Sequence, residues 1–104
     1  AAVSRPLTFS ADAREELRAA MTWYEDRSPG LGRALLDEAR ECFRLIQEHP
    51  GVGGPVPGVA ESVGARRVSL RRFPYTVIYL ELGGELRILA FAHMRRRPGY
   101  WRHR

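Results

Sequence analysis

Arginine, histidine and tyrosine in the last part of the chain are the residues whose types and spacing could do chemistry. His93-Met94-Arg95-Arg96-Arg97-Pro98-Gly99-Tyr100-Trp101-Arg102-His103-Arg104 packs five arginines, two histidines and two aromatics behind a stretch that reads as a buried strand. Guanidinium groups grip phosphate or carboxylate bidentately, and rings beside them offer stacking surface. A solvated tail has no use for Tyr100 and Trp101, so the segment reads as a docked, charged surface facing something anionic. One chemistry open to it is metal-free RNA cleavage, which needs a base for the 2′-hydroxyl, an acid for the leaving 5′-oxygen and cations for the phosphorane. His93 has the titration range for acid or base, Arg67, Arg71 and Arg87 can stabilise charge, and Tyr100 can stack a base or donate a proton. The other is binding alone, with Arg95, Arg96, Arg97 and Trp101 meeting nucleic acid or an acidic helix or strand. Against both stands a plain structural role: His93 ending a strand, Tyr100 and Trp101 packing the tail onto a sheet edge. His49 and His103 read as loop and tail residues.

Composition narrows the classes. The 104 residues suit one domain over 1–104 with a single core, and 44% apolar with 28% charged residues is ordinary for a soluble globular protein. No apolar run is long enough to span a membrane and no signal-peptide pattern opens the chain, so the expected compartment is the cytoplasm. The lone Cys42 has no internal disulfide partner and sits in a helical pattern as a small core residue. Metal-ligand spacing, paired carboxylates and a Ser/His/Asp set are all missing, so no metal or cofactor is expected. Residues 1–62 carry a net charge of −3 and residues 63–104 one of +8, giving the chain's +5. Such asymmetry suggests a scaffold half and a half that meets an anionic partner. All seventeen Lys+Arg positions are arginine, which removes lysine from the possible catalytic groups.

The elements that must position these groups follow from periodicity. Val3–Phe9 contains a short strand, placed near an edge by Pro6. Ser10 predicts a helix N-cap, with Ala13, Leu17, Ala20, Met21 and Tyr24 repeating at helical spacing to about Asp26. Ser28-Pro29 reads as a second start signal, followed by an apolar stripe of Leu31, Leu35, Ala39, Cys42, Phe43 and Ile46 and closed by His49-Pro50. Arg33/Asp37 and Arg44/Glu48 lie four apart on the solvated side. The glycines and prolines of residues 50–64 break regular structure but make no phosphate loop. Arg66–Arg72, Tyr75–Leu82 and Glu85–His93 read as a three-stranded meander with a Gly83-Gly84 hairpin. With tight turns, Arg66, Val68, Leu70, Arg72, Tyr75, Val77, Tyr79, Glu81, Leu86, Ile88, Ala90 and Ala92 share the helix-covered face, and Arg66 can pair with Glu81. Arg67, Ser69, Arg71, Thr76, Ile78, Leu80, Arg87, Leu89, Phe91 and His93 then form a basic second face on an apolar floor. A slip of one residue would exchange a strand's faces.

The helix hairpin, the meander with Phe73-Pro74-Tyr75 opening its middle strand, and the ending Ile88-Leu89-Ala90-Phe91-Ala92-His93-x-Arg95-Arg96-x-Pro98-Gly99-Tyr100-Trp101 together resemble the RelE/ParE toxin superfamily. They are similar to the small toxins often labelled plasmid stabilisation proteins. The resemblance implies an α+β fold, with an N-terminal strand and a two-helix antiparallel hairpin packed on an antiparallel sheet of about four strands. It implies the toxin of a type II toxin–antitoxin pair, arresting growth and held by a cognate antitoxin in a hetero-oligomer. ParE-like members poison DNA gyrase without catalysis, and the Phe-Pro-Tyr and His-x-Arg-Arg elements look closer to these. RelE-like members are ribosome-dependent mRNA endonucleases. By position that branch implies Arg67, Arg71, Arg87, His93 and Tyr100 as site residues, with His93, Arg87 and Tyr100 catalytic. The chain departs from the lysine-rich RelE centre. A non-toxic basic nucleic-acid-binding module is the third reading.

Overall fold

The computed structural model describes residues 5–60, 63–96, 99–102 and 104. Ser10 opens the first helix, its hydroxyl accepting the Ala13 N–H at 3.0 Å and so satisfying one of the amides a helix start leaves bare. This helix, α1, spans Ala11–Arg27. Ser28 then closes it, donating its N–H to the Tyr24 carbonyl at 3.0 Å. Ser28-Pro29 is therefore not the start of the second helix. The second helix, α2, spans Leu31–Glu48 from an N-cap at Gly30, whose φ of 92° suits a residue without Cβ. Since Gly30 has no side chain to cap with, Glu25 does so from α1. Its carboxylate accepts the N–H groups of Gly30 and Gly32, both at 3.0 Å, which places negative charge at a helix N-terminus. The helices approach closely here, and a Cβ on Gly32 would stand 2.7 Å from the Met21 carbonyl oxygen.

Both predicted apolar stripes join one core with Val77, Tyr79, Leu86, Ile88 and Phe91 of the sheet. The solvated pairs form as expected, Arg33–Asp37 at 2.9 Å and Arg44–Glu48 at 3.4 Å. Among the described residues no helix is long and apolar enough to cross a membrane.

The strands are β1 (Leu7–Phe9), β2 (Gly54–Pro55), β3 (Arg66–Ser69), β4 (Tyr75–Leu82) and β5 (Glu85–His93). They lie in the order β1-β5-β4-β3-β2. The sheet is thus α+β as expected but five-stranded and mixed, because β1 runs parallel to β5 while the other pairs are antiparallel. β3 stops at Ser69, short of the predicted Arg72, where the chain bends and Glu38 on α2 takes the N–H groups of Arg71 and Arg72. The β3–β4 register is the predicted one, with Arg66 opposite Tyr79 and Val68 opposite Val77. Arg66 does not pair with Glu81. Its guanidinium donates to the Gly53 carbonyl at 3.0 Å, and Glu81 pairs with Arg5.

The β4–β5 register departs from the predicted one. Tyr79 lies opposite Ile88, yet Ile78 lies opposite Ala90, so Leu89 is one residue extra on β5. This β-bulge exchanges the faces of everything beyond it. Phe91 and His93 turn to the helix side with Val77 and Tyr75, and Ala90 and Ala92 go to the second face with Ile78 and Thr76. The cause lies beside the bulge, where β1 leaves β5. Ser10 takes the Ile88 carbonyl with its N–H at 2.9 Å and the Leu89 carbonyl with its hydroxyl at 3.0 Å.

Nor is the second face an open basic floor. Val56 from the long loop and Trp101 from the tail pack on Ile78, Leu89, Ala90 and Ala92 as a second apolar cluster. The loop is anchored by the Tyr79 hydroxyl, which donates to the Pro50 carbonyl at 2.6 Å and accepts the Gly53 N–H at 2.9 Å.

Two outcomes follow from this packing. Gly32→Ala is expected to destabilise the protein by about 1–3 kcal/mol in urea unfolding, although alanine is the better helix former, because the overlap is with backbone. Cys42 is buried, and burial first and the Glu38 charge second push its thiol from 9.0 up to about 12. Modification by a disulfide reagent at pH 8 should therefore follow the rate of unfolding, with no fast phase in native protein.

Candidate functional site

Past Phe9 no strand among the described residues covers the outer edge of β5, and its backbone groups need partners. Glu16 on α1 supplies one, accepting the Phe91 N–H at 3.0 Å. Arg104 supplies another, donating to the Leu89 carbonyl at 3.1 Å while its guanidinium forks onto Glu16 at 2.7 and 3.1 Å. Asp12, one turn earlier, lies 3.3 Å from the Arg104 Nε. The Tyr100 hydroxyl also donates to Glu16. Burial first, then the hydrogen bond to Glu16 and the Glu16 charge, push the Tyr100 phenol well above its usual range. The hydrogen bond to Glu16 holds Arg104 all the more firmly protonated. Glu16 is the residue that sequence reasoning missed. The signal was available: a glutamate three past Ala13 and four before Ala20 sits on the buried stripe, where a carboxylate needs partners.

The predicted site residues divide between one small pocket and separate positions. Arg67 is exposed and donates to the Pro55 carbonyl at 3.1 Å. Arg87 is half-buried on the same second face, opposite Leu80, and with β4 between them the two strands lie about 10 Å apart. Arg71 is not on a strand; it sits exposed in the bend after β3, facing a groove of about 680 Å³ beside α2. His93 is on the helix side, its ring edge-on to Tyr75 at 5.1 Å. Its Nδ1 accepts the Arg95 N–H at 3.0 Å, which leaves Nε2 without a hydrogen-bond partner among the described residues. Arg96 covers the Tyr100 ring at 4.4 Å and stands 3.8 Å from Glu16. Trp101 is buried, and Arg102 ties the tail to the Gly58 carbonyl at 2.6 Å. Arg97 and His103 lie outside the described residues. The tail is docked, as its aromatics suggested; Arg67, His93, Arg96, Tyr100 and Trp101 line one small pocket of about 140 Å³, and Arg71 and Arg87 are not part of its lining. Among the described residues no group of three His, Cys, Asp or Glu side chains is placed to hold a metal ion.

This geometry can bind through charge and apolar surface. The sequence matches, over residues 7–98, the family described as ParE toxin of type II toxin-antitoxin system, parDE. Among solved structures, a chain of the chromosomal ParDE TA system from P. aeruginosa has the same fold. It superposes with a TM-score of 0.73 at 21% identity, over 86% of this chain and 96% of that one. No curated protein matches the sequence.

Removing the Glu16 carboxylate strands Arg104 and the Phe91 amide together. Glu16→Ala is expected to cost about 2–4 kcal/mol in urea unfolding and to make Trp101 accessible to acrylamide quenching. Tyr100 gives a pH signature. Its folded-state pKa lies above the ordinary 10.0, so its contribution is complete below pH 10 and is lost as pH rises beyond that value. Tyr100→Phe should flatten part of the alkaline loss of stability followed by circular dichroism.

Proposed function

The chain belongs to the ParE toxin family of type II toxin–antitoxin systems, and on that footing we propose that it arrests growth in the cytoplasm by binding DNA gyrase, without catalytic chemistry of its own, and that a cognate antitoxin neutralises it in a hetero-oligomer. The observation that carries the choice of binding over cleavage is the bulge at Leu89. It turns His93 to the helix side, away from Arg87, which stays on the second face and outside the pocket that His93 shares with Arg67 and Tyr100. A concerted acid, base and cation set acting on one phosphate needs its members within hydrogen-bond reach of that phosphate. Tyr100 adds support, since its proton is already directed at Glu16.

The test is supercoiling by purified gyrase with and without the protein, paired with sequencing of ribosome-associated mRNA ends after induction. Inhibited supercoiling, DNA breaks and an SOS response with intact mRNA are the expected results, and Arg87→Ala should arrest growth as well as the wild type. Messenger RNA cut at ribosomes while supercoiling proceeds would overturn the proposal in favour of a RelE-like endonuclease. Normal growth on induction would favour a non-toxic module.

A further inference from the structure

The pocket of about 140 Å³ at the tail's seat joins three segments of the chain: Arg67 comes from β3, His93 from the end of β5 and Arg96 from the turn that follows it. Val56 of the long loop and Trp101 wall it with apolar side chains. Among the described residues no Asp or Glu lines it. Two guanidinium groups thus share one small space with no carboxylate between them, an arrangement that like-charge repulsion opposes. Each has donors to spare. Arg67 uses its Nε on the Pro55 carbonyl at 3.1 Å, and its two terminal nitrogens have no partner among the described residues. Arg96 stands 3.8 Å from Glu16, beyond hydrogen-bond length, and the Glu16 oxygens are already taken by Arg104, the Tyr100 hydroxyl and the Phe91 N–H. His93 completes the set. Since its Nδ1 accepts the Arg95 N–H at 3.0 Å, the neutral ring carries its proton on Nε2, which makes that nitrogen a donor.

Donors alone call for an acceptor, and charge and size narrow it. Two guanidinium charges are balanced by a dianion, whereas a side-chain carboxylate would leave one of them unmatched. The volume suits one tetrahedral oxyanion and not the successive sugars and bases of a nucleic-acid strand. Nor is there a base to start cleavage: the His93 Nδ1 is occupied, its Nε2 is protonated, and the Tyr100 hydroxyl donates to Glu16. We propose that this pocket binds a single phosphate dianion, free or as the terminal phosphate of a nucleotide, with Arg67 and Arg96 gripping its oxygens and the His93 Nε2–H completing the contact. The bound group ties β3 to the tail and so fastens the tail on the sheet. The site goes beyond the choice of target and holds whether or not that target is gyrase.

The experiment is isothermal titration calorimetry of the purified protein with inorganic phosphate, repeated with Arg67→Gln, Arg67→Lys, Arg96→Gln and, as a control outside the pocket lining, Arg87→Gln. Expected is saturable binding with a Kd of about 1 mM or tighter. Either Gln variant in the pocket should weaken it about tenfold or more, Arg67→Lys should fall between because it keeps the charge and loses the fork, and Arg87→Gln should match wild type. Circular dichroism checks folding, and in the same melts phosphate should raise the wild-type Tm while leaving that of Arg96→Gln unmoved. Adenosine monophosphate and adenosine separate the sources. A monophosphate that binds more tightly than phosphate, with no binding of the nucleoside, assigns a nucleotide's terminal phosphate; a monophosphate that binds no better assigns the free ion. No phosphate binding, or binding that Arg67→Gln and Arg96→Gln leave intact, would overturn the pocket. A glutamate-rich peptide or a 5′-hydroxyl oligonucleotide that binds more tightly than phosphate, and loses affinity in the same variants, would overturn the phosphate occupant.

Discussion

The ion pair between Glu16 and Arg104 is the contact on which the rest of the molecule depends. β1 covers β5 only as far as Ile88, and an edge strand left bare in a partly buried place is penalised for each unpaired group. Glu16 and Arg104 occupy the position a longer β1 would have taken, one accepting from Phe91 and the other donating to Leu89. The pair is itself mostly buried, at 15% and 13% side-chain exposure. Such a pair survives burial only when its remaining hydrogen-bonding capacity is used, and Tyr100 and the two backbone groups use it. One carboxylate thereby sets the seating of α1 on the sheet, the course of the tail and the cover over the second apolar cluster. Glu25 and Glu38 repeat the device at smaller scale, each taking backbone N–H groups where regular structure breaks off.

Much of this was legible in the sequence, and the exceptions share a cause. The helices and the two long strands could be read because each is written locally, in periodic apolar residues and turn glycines. The docked tail could be read from two aromatics that solvent would not favour. The faces of β5 could not, because the bulge at Leu89 is imposed by Ser10, a residue distant in sequence and adjacent in space. Ser28 misled for a related reason: the same residue type can close one helix or open the next, and the choice fell to Glu25 and Gly30. Within the candidate site, what could not be read is the face of His93, which the bulge turns away from Arg87.

The electrostatic reading changes in scale as well. An acidic first half and a basic second half suggested a surface in need of an external anion. In the fold the two halves answer each other across the molecule, through Asp12 and Glu16 with Arg104, Glu38 with Arg72, and Arg5 with Glu81. Arginines such as Arg67 and Arg102 spend donors on loop carbonyls. The cationic surface left for a partner is narrower than the charge count implied.

The parallel placement of β1 against β5 has a consequence for how the protein is made. It joins Leu7–Phe9 to Leu86–Ile88, while Glu16 waits for Arg104. A growing chain can wind α1 and α2 as they emerge, yet neither can bury its stripe until the final strands exist to receive it. Contacts so distant in sequence form late and together. The nascent protein therefore has no half-made native surface to present: its grooves come into being only once β5 and Arg104 are available to close them.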